Sequence, residues 1–198
     1  PTRADELWRR TDFRTLEAEL PILDPFVVPK PATDADALPV ALLERLGEDA
    51  LCLPLVVQMD GGTVFERSTE VLEQQGIIVC SLDHAAREHA DRLQDHYGAL
   101  LGDDVDWYTA AGSALRSGGA FVFVPDGVEA AEPIRIAQWI SRPGVLAASR
   151  TVIVLGRGAK AVVVDEQSSE TADGIALHIG GVEAFVGDES KLAYATLQ

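Results

Sequence analysis

Four histidines, two cysteines and 32 carboxylates are the side chains of this 198-residue chain with the widest chemical repertoire. His84, His89 and His96 fall in one helical stretch at spacings of five and seven. Zinc ligation from one helix face uses i and i+4, as in HExxH, and no cysteine lies beside these histidines. Their spacing predicts solvated or capping side chains. His178 sits in a β-run, Ile175 to Ile179, where facing solvent is as open to it as facing inward. Asp103, Asp104 and Asp106 resemble the start of a calcium loop, but no glycine stands at its sixth position and no glutamate closes it. Helix capping accounts for them. Ser113 follows Gly112 without completing GxSxG.

Two glycine clusters invite nucleotide readings and fail them. Gly156-Arg157-Gly158-Ala159-Lys160 lacks the GxxxxGK[ST] spacing and runs into Ala161 to Val164, a strand where a phosphate loop needs a helix. Gly118-Gly119 stands before a strand, whereas a dinucleotide fingerprint stands after one. The carboxylates of Asp165-Glu166 and Glu129–Glu132 could form glycosidase-like pairs, yet among 32 carboxylates such neighbours arise by chance. Cys52 and Cys80 lie in apolar runs, Leu51 to Val57 and Ile77 to Cys80, and two cysteines are no disulfide framework. Both are expected as buried free thiols, which suits a reducing cytosol. The expectation is a non-enzymatic chain with no catalytic, cofactor-binding or metal-binding residue.

Sixteen basic against 32 acidic residues give a net charge of −16. Duplex phosphates and anionic lipid both repel such a surface, which points away from nucleic acid and membrane as partners. Pro1 to Arg14 carries charge where a signal peptide needs an apolar core, and no apolar run approaches about 18 residues. A cytoplasmic location follows as an expectation. The hydrophobic fraction of 47% is enough for an ordinary core.

Around Gly118-Gly119 the pattern changes. Before it, Arg3 to Arg14 reads as a short helix, and Pro21, Pro25, Pro29, Pro31 and Pro39 hold the chain extended. Val40 to Leu46 reads as a helix stopped at Gly47. Leu51 to Gln58 is β-rich and ends in a turn at Asp60-Gly61-Gly62. Ser68 to Gln75 reads as a helix capped by Ser68 and stopped at Gly76. Ile77 to Cys80 is a strand, Ser81 or Asp83 caps a helix to about Tyr97, and a last helix covers Asp104 to Leu115.

After it, Phe121-Val122-Phe123-Val124-Pro125-Asp126-Gly127-Val128-Glu129 recurs as Val152 to Lys160 and, more weakly, as Glu183 to Lys191. Both steps are 31 residues. Each copy is an apolar strand, a tight turn, a charged residue and a second strand. A fixed period of this size marks stacked architectures. Strand–turn–strand units without a crossover helix bury their faces by stacking about 4.8 Å apart, as in a parallel β-helix. The expected organisation is an α+β domain over residues 1–117, then the first coils of a truncated parallel β-helix over 118–198. With no capping segment after the third copy, the chain reads as part of something longer. The uncharged run Leu192 to Leu197 would present an open edge, with a homodimer as one way to cover it.

Several stretches resemble the SufB/SufD family of iron–sulfur cluster assembly proteins. Pro1-Thr2-Arg3-Ala4-Asp5-Glu6-Leu7-Trp8-Arg9-Arg10-Thr11-Asp12 is similar to the SufD opening. Trp107 to Ala111 through Ser117-Gly118-Gly119 resembles the family's helix leading into its β-helix. Phe121 to Val128 with Glu132-Pro133-Ile134 resembles its VPxGV…EPI stretch, and Arg150 to Ala159 its next coil. Ala111-Gly112-Ser113 departs from the Asn-Ala pair usual in relatives. The resemblance implies a right-handed β-helix and a non-catalytic scaffold of SufD type, working with a SufB-like subunit and a SufC-like ATPase. The cluster would be assembled by the full complex, with no ligand to it in this chain. A polysaccharide-active β-helical enzyme and a hexapeptide-type acyltransferase are the alternatives. The first needs a carboxylate ladder and usually a secretory signal, and the second needs a six-residue period.

Overall fold

A computed structural model describes residues 23–170 and 173–198. The helix predicted over Arg3 to Arg14, Pro21 and the opening motif Pro1 to Asp12 lie outside the described residues.

The first part of the chain builds short elements from local signals. Helix α1 (Val40–Leu46) buries Leu42 and Leu46 and stops at Gly47, whose φ of 75° suits glycine. Strands β1 (Leu55–Met59) and β2 (Gly62–Arg67) form an antiparallel hairpin about Asp60-Gly61, both with positive φ. The hairpin's second strand was not foreseen, because Gly62 reads as turn and Glu66 and Arg67 break the apolar alternation. Helix α2 (Glu70–Gln74) is capped by Thr69, whose hydroxyl oxygen accepts the Leu72 N–H at 3.4 Å. The expected cap, Ser68, instead points its hydroxyl at the Thr69 carbonyl.

Strand β3 (Ile78–Ser81) leads into α3 (Leu82–Glu88), with Ser81 as the cap. The single helix expected to Tyr97 breaks at His89, which leaves the helical region, and resumes only as α4 (Ala90–Leu93). Helix α5 (Trp107–Ala114) begins later than expected, where Asp106 and Thr109 cap each other reciprocally. Among the described residues, no helix is long and apolar enough to cross a membrane.

Six strands follow: β4 (Gly118–Val124), β5 (Ile134–Ile140), β6 (Leu146–Leu155), β7 (Lys160–Ser169), β8 (Leu177–Val186) and β9 (Lys191–Leu197). One sheet runs β2-β1-β5-β7-β9 and the other β3-β4-β6-β8. Pairing among β4, β6 and β8, and among β5, β7 and β9, is parallel. Val124 lies opposite Leu155, and Leu155 opposite Val186, each a step of 31 residues. The β7–β9 pairing keeps the same step, but Ile134 pairs with Val163 because the first repeat carries two extra residues near Ala131. The turns stack as well: Gly127 donates to the Arg157 carbonyl, Gly158 to that of Asp188, and Arg157 N–H to the Asp126 carboxylate. Earlier strands extend both sheets, since β1 pairs parallel with β5 and β3 antiparallel with β4.

The space between the sheets is filled at one end by Val56, Val122, Val124, Ile136, Ile153 and Val163. The outer faces have their own cover. α1 packs on Leu55, Val57 and Ala137 of the first sheet, and Leu82, Ala85 and Leu93 pack on Phe121, Val152 and Val154 of the second. Strand β6 is therefore buried along its whole length, from both sides. That explains why it reads as an unbroken buried run rather than as an alternation.

Candidate functional site

Most of the residues with chemical potential are tied into the architecture. Asp165 and Glu166, adjacent on β7, point to opposite faces, so they form no carboxylate pair. Asp165 is fully buried and accepts the Tyr194 hydroxyl at 2.7 Å, while Glu166 pairs with Arg135 on the other side. Burial first, then the Asp165 hydrogen bond, raises the Tyr194 phenol well above its usual range. Glu129 pairs with Lys160 at 2.7 Å, and Glu132 accepts the Thr69 hydroxyl. Lys160, one of the two basic residues of the glycine cluster, is thus taken up by the preceding repeat. Ser113 accepts from Arg150 at 3.0 Å.

The cysteines divide. Cys80 is buried as expected, and burial, with Glu66 adding to it, pushes its thiol up to about 12. Such a thiol is almost wholly protonated at neutral pH and inert as a nucleophile or ligand. Cys52 is exposed, contrary to expectation, because the 3-10 turn at Glu48–Cys52 carries it outward before the strand begins at Leu55. No disulfide joins the two. His84 sits 2.6 Å from Glu66. Burial alone would raise the Glu66 carboxyl, but Ser81 N–H and hydroxyl donors and His84 outweigh it and lower the pKa. His89 stacks on His84, and His96 meets Phe185 edge-on. The described residues hold no group of three or more His, Cys, Asp or Glu placed to take a metal ion.

Two buried polar groupings escaped the sequence reading. Glu183, on β8, is fully buried. Its carboxylate accepts N–H donors from Gly98 and Leu100 at 2.8 Å and from Leu101 at 3.1 Å. Arg150 of β6 reaches it at 3.2 Å and also donates to the Leu101 carbonyl. Burial would raise the Glu183 pKa. The three backbone donors and the guanidinium outweigh that and hold it below the usual carboxylate range. The grouping clamps the Gly98–Leu101 loop onto the second sheet.

The other grouping lies between the sheets. Ser149 donates its hydroxyl proton to Gln138 Oε1 at 2.8 Å and contacts His178 Nε2 at 2.9 Å. His178 therefore faces inward rather than toward solvent, and burial depresses its pKa. Because the Ser149 proton goes to Gln138, the network assigns N–H to His178 Nε2, donating to Oγ. That is the reverse of the proton flow a serine nucleophile needs. A faint trace of this grouping was present in the sequence: Gln138, Gln167 and Gln198 recur at spacings close to the repeat.

Parallel strands paired repeat by repeat, with polar side chains tying loops and turns to them, define a repeat-built two-sheet protein with a partial helical cover. Residues 54–136, from the approach to β1 into β5, match the family model for the SufBD protein N-terminal region. A chloroplastic iron–sulfur cluster assembly SufBD family protein of Arabidopsis thaliana is 27% identical over 163 residues, 82% of this chain and 29% of its own length. A SufBD family protein of Synechocystis is 30% identical over 137 residues, 69% of this chain and 28% of its own. The iron–sulfur cluster assembly protein SufB of Bacillus subtilis is 28% identical over 141 residues, 71% of this chain and 30% of its own. The chain belongs to the SufB/SufD family, through its N-terminal region, and spans under a third of the length of these relatives.

Proposed function

We propose that this chain is the front part of a SufD-type scaffold subunit in iron–sulfur cluster assembly. The observation that carries the reading is the parallel, 31-residue register of two facing sheets within a chain of this family. Such a stack, wound as a right-handed parallel β-helix, gives a rigid frame on which a SufB-like subunit and a SufC-like ATPase assemble through later parts of the full protein. The cluster is cargo of that complex. Its ligands lie elsewhere, since one thiol here is buried and the other sits alone on the surface. Catalysis is not part of the role. The arrangement around Ser149, whose hydroxyl donates to Gln138 Oε1, supports that reading. Nucleic acid and membrane are not partners in this reading, and the cytoplasm is its setting.

Disrupting the gene in its source organism and assaying aconitase tests the role. Activity should fall several-fold and return with the intact gene, while unchanged activity in the disrupted strain would overturn the reading. Anaerobic reconstitution of the isolated chain should leave no stoichiometric cluster on it.

Strands β8 and β9 stand last in their sheets among the described residues, and their open edges suit a further strand. In the isolated chain a second copy takes that place, weakly at −16 charge and more firmly as salt screens it. Tyr194 turns inward to Asp165, so a blocking charge belongs at exposed Ala195. Sedimentation should show dimer rising with salt in the native chain and monomer throughout in Ala195→Lys. A native chain monomeric at every salt concentration would remove the homodimer.

A further inference from the structure

The chain contains no asparagine, and aspartate stands directly before glycine at three places: Asp60-Gly61, Asp126-Gly127 and Asp173-Gly174. Such a step can rearrange without enzyme or cofactor. The glycine amide nitrogen attacks the aspartate Cγ, an N–C bond forms, and the side-chain hydroxyl leaves as water with the amide proton. Water then opens the five-membered succinimide. Cleavage at Cγ restores aspartate. Cleavage at the original peptide carbonyl leaves the chain running through Cβ and Cγ, an isoaspartyl link. Glycine favours the attack because no Cβ shields its nitrogen and its backbone reaches conformations that other residues avoid. The reaction needs an unheld carboxyl group, an amide N–H without an acceptor, and water.

Two of the three steps fail these conditions. Asp60 is 5% exposed, and Ser141 donates its N–H to one carboxylate oxygen at 2.8 Å and its hydroxyl to the other at 2.7 Å. Asp126 is exposed, but its carboxylate accepts the Arg157 N–H at 2.9 Å, and Gly127 N–H donates to the Arg157 carbonyl at 2.8 Å. The turn of the next repeat thus holds both reacting groups. Asp173-Gly174 meets every condition. It lies in the connection between β7 and β8, with both residues exposed. Among the described residues, neither the Asp173 carboxylate nor the Gly174 N–H has a hydrogen-bond partner. Glycine is also fixed there by the fold. Its φ is 135°, and a Cβ would lie 2.7 Å from Pro143 Cβ. Packing against Pro143 therefore imposes the residue that makes the step labile.

We propose that Asp173-Gly174 is a modification site, the one of the three Asp-Gly steps at which the folded chain converts spontaneously to isoaspartate. The link lengthens the β7–β8 connection by one backbone methylene. The site stands independently of the scaffold role. Ageing the folded chain in mildly acidic buffer below its melting range, with a urea-unfolded sample in parallel, tests it. Trypsin places the three steps on separate peptides, residues 46–67, 117–135 and 161–191. Chromatography separates the isomers of each peptide, and an aspartate-specific endoprotease fails to cut at an isoaspartyl residue. In the folded chain the 161–191 peptide should rearrange about tenfold faster than the other two, since each rival must first break the hydrogen bonds that hold it. In urea the three rates should converge. Asp173→Glu keeps the charge but would need a six-membered ring, so it should abolish rearrangement in this peptide alone. Equal rates at Asp173 and either rival in the folded chain would overturn the proposal. So would a 161–191 peptide that stays intact while the urea sample reacts, or one that still rearranges in Asp173→Glu.

Discussion

Replacing Glu183 by glutamine should destabilise the chain by about 3–5 kcal/mol, the usual cost of removing one partner from a buried ion pair. The loss has two parts. Arg150, 4% exposed, would keep its charge with no counter-charge beside it. One of the three N–H donors from Gly98, Leu100 and Leu101 would also face an amide N–H₂ instead of an oxygen. Arg150→Met should cost a similar amount, because the carboxylate is then buried with backbone donors alone. The double variant Arg150→Met, Glu183→Leu should recover only part of the loss, since the three N–H groups stay unpaired.

The sign of the pH dependence follows from the lowered Glu183 pKa. A carboxyl that ionises more easily folded than unfolded stabilises the fold above its unfolded value, about 4.3. That contribution fades as pH falls through the lower folded value. Urea unfolding at pH 7 and at pH 3 reads both effects. The gap between native chain and Glu183→Gln should be wide at pH 7 and narrower at pH 3. A gap below about 1 kcal/mol at pH 7 would show that the clamp is no more than a solvated surface pair.

How far the sequence revealed this molecule depends on where each signal resides. The register of Val124, Leu155 and Val186 was legible because each 31-residue repeat carries the same apolar strand and tight turn, and register follows from repetition. Helix α1 was legible because Gly47 ends it locally. The break at His89 was not, since no glycine or proline marks it. The exposure of Cys52 was also missed, because an apolar neighbourhood in sequence does not say which way a short 3-10 turn faces. Glu183 and Arg150 read as ordinary charges in strands. Their burial arises from the Gly98–Leu101 loop folding over them, a contact between residues more than eighty apart in the case of Glu183. The inward-facing glutamines were hidden for a similar reason. A polar residue in a strand is normally assigned to the solvent face, and here Gln58, Gln138 and Gln167 lie on the face turned toward the other sheet.

The Gly118-Gly119 pair, no nucleotide fingerprint, has a steric reason, which gives the last expectation. A Cβ on Gly119 would meet the backbone carbonyl oxygen of Arg150 and come within 3.1 Å of Leu82 Cδ2. A Cβ on Gly118 would meet the Gly61 carbonyl oxygen and lie 2.9 Å from Gln58 Oε1. Neither carbonyl can move cheaply. Arg150 is the register partner of Gly119 in the β4–β6 ladder, and Gly61 is the tip of the β1–β2 hairpin. Overpacking costs about 1–3 kcal/mol where side chains can yield, and more where backbone must. Gly119→Ala should therefore cost about 3 kcal/mol or more by parting β4 from β6. Gly118→Ala should cost a similar amount by pushing the hairpin off the mouth of the interior. Gly112→Ala in α5 is the control. Its Cβ would meet only the Ile179 methyl at 3.1 Å, and alanine is the better helix former, so the change should stay within about 1 kcal/mol of zero. For a chain of this size each kcal/mol moves the melting midpoint by about 2–4 °C, so thermal scans separate the outcomes. If Gly119→Ala melts with the native chain, the strands have room to spare at the start of the stack, and the close approach of β4 to β6 is not what holds glycine there.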